Sequence, residues 1–129
     1  MATPNYTRLE EIKSRLPDEV MRYIDAWEKD YDEPLNWKVA ELVLALNDRG
    51  IRTVLSWGDD RIRVLIKTPF ILSKPLPDDW GLIGWKHKIE NCMLLYKRDD
   101  GMVMQEEAEK IAGCFKKHRS LFGIIPLCR

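Results

Sequence analysis

The sequence predicts an α+β fold: N-terminal helices, an antiparallel sheet of about four strands built on a hairpin at 51–67, and a C-terminal helix. Three observations carry this. Apolar residues recur at helical spacing as far as Leu46 and switch to strict alternation at Ile51. A Gly58-Asp59 turn signal divides the alternating stretch in two, as a hairpin requires. After a proline-rich gap the alternation resumes, and it yields to one more amphipathic stretch around Ala108. At 129 residues the chain is expected to form a single domain, 1–129, large enough to bury a core without disulfide or metal staples.

Leu9, Ile12 and Leu16 fall on one helical face. Pro17-Asp18-Glu19 then starts a second helix, because proline lacks only an N–H that the first turn leaves unpaired and acids suit the positive dipole end. Its apolar stripe is Val20, Ile24, Trp27 and Tyr31, and Asp30-Tyr31-Asp32-Glu33-Pro34 ends it. Asn36 reads as the N-cap of a third helix, Trp37 to Asp48, closed by Gly50 and apolar nearly all round, hence central. In the hairpin, an even-length loop is expected to set Ile51, Thr53, Leu55 and Trp57 on the same face as Ile62, Val64 and Ile66. Pro69, Pro75 and Pro77 make 68–81 a long loop. Strands are expected at Ile83–Ile89 and Cys92–Lys97, with a short one at Met102–Met104. A helix from about Gln105 to Arg119 follows, acidic at its start and basic at its end. The apolar tail Leu121–Cys128 must dock on the body or on a partner, and homodimerisation through it is one expectation.

Lys plus Arg equals Asp plus Glu at 21 each, so net charge exerts no general pull toward nucleic acid or anionic lipid. The distribution is uneven: residues 1–50 carry seven basic and eleven acidic side chains, residues 51–129 fourteen and ten. Cys92, Cys114 and Cys128 are odd in number and widely spaced, which points to reduced thiols rather than a disulfide framework or zinc site. No apolar run approaches the roughly 18 residues of a membrane span and the N-terminus lacks an apolar signal region, so no membrane association and a cytoplasmic location are expected.

Candidate chemistry is sparse. Asp59-Asp60, Asp78-Asp79 and Asp99-Asp100 invite a cation, but each pair lies where aspartate is a good turn residue, and neither a metal nor another cofactor is expected. Gly58-Asp59-Asp60 matches a polymerase palm motif in a chain far too short for a polymerase. Any imidazole chemistry must use His87 or His118. His118 sits in a basic helix end, and His87 on an apolar strand side near Cys92, without a nucleophile elbow, phosphate loop or zinc signature beside it. Trp27, Trp57 and Trp85 fall on apolar faces and read as core, whereas Trp80, beside Asp78 and Asp79 at the end of the proline-rich loop, suits recognition if exposed.

Two charged surfaces remain. Arg52, Arg61, Arg63 and Lys67 form a basic outer face of the hairpin, able to follow phosphates but without stacking aromatics. Asp25, Glu28 and Asp32, with Asp30 and Glu33, form an acidic end on the second helix, suited to a basic protein surface. The expected function is that of a non-enzymatic cytosolic protein that occupies a macromolecular partner, most simply a protein. That class includes inhibitors, immunity-type proteins and phage anti-defence proteins. Partner contacts are expected at Trp80, Asp78, Asp79, Asp25, Glu28 and Asp32. Nucleic-acid binding through the basic hairpin face is the alternative, and a small enzyme using His87 or an aspartate pair the second alternative.

Overall fold

A computed structural model describes residues 5–67, 69–87, 90–99 and 101–117, without the side chains of Lys86, His87, Glu90 and Asn91. It has the expected architecture: helices α1 (Tyr6–Arg15), α2 (Asp18–Tyr31) and α3 (Ala40–Asp48), then strands β1 (Thr53–Trp57), β2 (Arg63–Lys67), β3 (Phe70–Leu72), β4 (Trp80–His87) and β5 (Glu90–Lys97), then α4 (Gln105–Ala112) and β6 (Phe115–Lys117). β1, β2, β5 and β4 lie side by side in that order as one antiparallel sheet, and β3 pairs with β6 in a separate two-stranded ribbon.

Helices cover one face of the four-stranded sheet. Ile12, Val20, Ile24, Leu42, Val43, Leu46, Ala108 and Ile111 meet Val64, Ile66 and Leu95 in one buried cluster. α3 is the central helix the sequence foretold, with Leu42 and Leu46 wholly enclosed. It begins three residues later than Asn36 implies. The Asn36 side chain accepts from the Lys38 N–H at 2.9 Å, so the asparagine caps a separate turn and Trp37 stands outside the helix.

Four local expectations are corrected. The β1–β2 loop, residues 58–62, is odd in length, and Trp57 pairs with Arg63 while Thr53 pairs with Ile66. An irregularity at Val54–Leu55 absorbs the extra residue, so both of those side chains turn to the outer face and the strand changes sides halfway. Residues 68–81 are not all loop, because Phe70–Leu72 pairs with Phe115–Lys117 and the Phe70 and Phe115 rings meet at 5.1 Å. For the same reason the last helix stops at Ala112: Gly113 ends it, and Phe115 enters the core from a strand. Residues 102–104 form no strand; Val103 is anchored there by its N–H to the Lys38 carbonyl. Tail residues 118–129, and with them His118, Cys128 and the expected tail-mediated homodimer, lie outside the described residues.

Candidate functional site

A cavity of about 220 Å³ opens where the end of α2, the 32–37 connection, the start of α1 and the β1–β2 loop converge, lined among others by Tyr6, Trp27, Trp37, Trp57, Asp32, Glu33 and Asp59. Each wall has a local cause. Asp32 ends α2 in the left-handed conformation (φ 56°), its N–H bonding the Glu28 carbonyl, which reverses the chain. Pro34 cannot prolong the helix, and buried Leu35 pins the return segment. The Asn36 turn then presents Trp37. Opposite, Gly58 lets the hairpin loop lie against that turn, since a Cβ there would come within 2.6 Å of Asn36 Oδ1. The Asn36 amide donates to Asp59 Oδ1 at 3.0 Å and ties the two segments together.

Within the cleft Trp27 donates its indole N–H to Glu33 at 3.0 Å, stacks obliquely on Tyr31 at 4.3 Å and meets Trp57 edge-on at 6.0 Å. Four aromatic residues and three carboxylates line one small cavity, a negative environment that favours a cationic group. Two of those carboxylates extend the acidic end of α2, where five acids surround the single Lys29 between residues 25 and 33. Asp25 and Glu28 are exposed on that helix but do not line the cavity.

The outer face of the sheet differs from the sequence expectation. Pairing places Trp57, Arg63, Tyr96 and Gly81 in one row across all four strands, Leu65, Leu94 and Ile83 in the next, and Lys67, Cys92 and Trp85 beyond. The Arg63 guanidinium lies 5.4 Å from the Trp57 ring centre, and that of Arg98 5.4 Å from the Tyr96 ring centre. Aromatics are therefore present on this face, and the odd loop is what put Trp57 there. The four basic residues do not form one track. Arg52 donates to the Asn47 carbonyl, and Lys67 is held by Glu19 at 2.6 Å, whose carboxyl the hydrogen bond from Lys67 keeps below its ordinary pKa. Arg61 and Arg63 sit at the other end of the hairpin, Arg63 bridging exposed Asp60 at 3.5 Å.

Trp80 is not an exposed recognition residue: it is 3% exposed, and its indole N–H donates to Glu107 at 3.2 Å. The chain folds back over the core there, because Trp80 opens β4 opposite Lys97. Asp78 and Asp79 are exposed, and their carbonyls accept from Arg98. They precede β4, at the sheet edge opposite to β1, against which α2 packs, so they do not share a surface with Asp25, Glu28 and Asp32. Trp85 is also corrected, from core to 47% exposed, beside Ile83 at 46%. Asp99 accepts from the Gly101 N–H at 2.9 Å, the chief reason its pKa is lowered, as turn chemistry requires; Asp100 lies outside the described residues. Among the described residues no three His, Cys, Asp or Glu side chains gather as metal ligands. The His87 side chain lies outside the described residues, while Cys92 and Cys114 are buried.

Sequence reasoning missed Tyr6, Trp37 and Tyr96. Tyr96 stood in a recognised strand, and alternation from Arg63 would have found it had the pairing been known. Comparison with protein families, curated proteins and solved structures finds no match for this chain. Among the described residues, no helix is long and apolar enough to cross a membrane.

Proposed function

We propose that the protein is a non-enzymatic binding domain that occupies a protein partner by receiving a basic segment in the cleft at the end of α2. The observation that carries this reading is the convergence of Tyr6, Trp27, Trp37 and Trp57 with Asp32, Glu33 and Asp59 around one cavity. An arginine or lysine side chain entering it would meet ring faces and carboxylates together, and a partly desolvated cation over an aromatic ring gains about 0.5–2 kcal/mol per contact. Acids along the exposed side of α2, including Asp25 and Glu28, would steer the segment in before contact. Inhibitory, immunity-type or anti-defence action would follow from blocking the partner's basic surface.

The test is a titration with a short arginine- and lysine-containing peptide followed by tryptophan fluorescence, on wild type and on Trp37→Leu and Asp32→Asn. Asparagine tolerates the left-handed conformation at residue 32, so that variant removes charge with little strain. Salt-sensitive binding, weakened roughly tenfold by either change, is expected. Binding undiminished in both variants, or equal binding of an acidic peptide, would refute the reading.

A further inference from the structure

We propose that the β4–β5 side of the outer sheet face, around Tyr96, Ile83 and Trp85, is a stacking platform for single-stranded nucleic acid; the centre of that face is closed, with Val54, Leu65, Cys92 and Leu94 buried. Trp57, Arg63 and Tyr96 form a row on three neighbouring strands. Strands lie about 4.8 Å apart, so these three planar groups span roughly 10 Å, the scale of one or two unstacked bases. Tyr96 can lie flat because the residue opposite it is Gly81; a Cβ there would overlap the tyrosine ring. Arg98 stands over Tyr96 as Arg63 stands over Trp57, so each ring in the row is accompanied by a guanidinium.

Charge on the row favours phosphate. Arg61, Arg63 and Arg98 border it, answered by the long contact of exposed Asp60 to Arg63 and by the Asp78 carbonyl, which accepts from Arg98 Nε. Arg63 Nε is itself buried with no hydrogen-bond partner among the described residues. Further along the sheet, roughly 13 Å by strand rise, Trp85 offers an exposed ring beside Ile83, whereas Tyr96 is half-buried. A single strand crossing diagonally would stack on Tyr96 and then on Trp85, with its phosphates toward the arginines. A duplex would not fit, because paired bases hide their ring faces. An open antiparallel sheet with aromatics and basic residues on one face is a recurrent solution for reading unpaired bases.

The test is fluorescence anisotropy of a labelled oligouridylate, an oligothymidylate and a DNA duplex at rising salt, on wild type, Tyr96→Leu, Arg63→Gln and Trp85→Ala, each first checked for a cooperative thermal transition. Trp85 is half exposed, so Trp85→Ala keeps the test valid if Tyr96→Leu fails to fold. Expected is single-strand binding that weakens with salt by about 0.7 log unit per log unit for each phosphate contact. Removing Tyr96 or Trp85 should weaken it roughly ten- to a hundredfold. Absence of binding at low salt, preference for the duplex, or indifference to all three substitutions would overturn the proposal. So would light scattering showing a self-associated protein that Trp85→Ala converts to monomer while no oligonucleotide binds, since the face would then be a contact between copies of the chain.

Discussion

Lys97 supplies the sharpest test of how the interior tolerates charge. It is 7% exposed, and its ammonium lies 3.1 Å from Glu107 and 3.5 Å from Asp99, while Glu107 also accepts the Trp80 indole N–H at 3.2 Å. Burial alone would lower the lysine pKa, but the hydrogen bond and charge of Glu107, aided by Asp99, outweigh it and raise it. Glu107→Ala should therefore strand a buried cation and an indole donor at once. Breaking a buried pair from one side costs about 3–5 kcal/mol. Asp99 remains as a partial partner, so about 2–4 kcal/mol is expected here, a fall in Tm on the order of 10 °C for a chain of this size. Lys97→Met should cost only about 1 kcal/mol, because the Glu107 it leaves behind is partly solvated and keeps Trp80. Urea denaturation at two pH values separates the cases by sign. In wild type the folded pKa of Lys97 lies above its unfolded value, so its stabilisation is complete below about 10.4 and is lost as pH rises through the folded value. In Glu107→Ala burial should prevail and the folded value drop below the unfolded one, so stability should rise with pH toward about 10.4. Equal cost for the two substitutions, or the same pH slope in wild type and Glu107→Ala, would refute this account.

Gly81→Ala should force the Tyr96 ring off the sheet and cost about 1–3 kcal/mol by overpacking, and in the anisotropy assay it should weaken oligonucleotide binding as Tyr96→Leu does. Glu19 has a depressed folded pKa through its hydrogen bond from Lys67, so its stabilisation should be present above about pH 4.3 and vanish as pH falls through the folded value. Acid titration of thermal stability should show that loss in wild type and a smaller one in Glu19→Gln.

The class of fold was legible because period changes are local: helical spacing to Leu46, alternation from Ile51 and the turn signals between them needed no knowledge of partners. What failed depended on pairing. The Val54–Leu55 irregularity is invisible in a run of strand-forming residues, yet it decides which side of the sheet carries Trp57. The ribbon of Phe70–Leu72 with Phe115–Lys117 joins segments 45 residues apart and took Phe115 out of an apparently continuous helix. Of the candidate site residues, Asp25, Glu28 and Asp32 were readable as an exposed acidic helix end. Trp80 was not readable as core, because its indole partner Glu107 lies 27 residues away.

Trp57 links the two surfaces proposed for binding. It lines the acidic cleft, touches Trp27 edge-on and carries Arg63 over its ring on the sheet side. A cation entering the cleft and the Arg63 guanidinium would thus draw on the same ring, and each weakens the attraction felt by the other. Filling the cleft should therefore leave Arg63 less firmly held by the ring and freer to meet a phosphate, so a basic segment and a single strand would bind with modest mutual reinforcement. By linkage the effect must be reciprocal, the oligonucleotide tightening the peptide by the same factor as the peptide tightens the oligonucleotide. Trp57→Leu would blunt both sites and erase the coupling, whereas Trp37→Leu and Tyr96→Leu each reach one site alone.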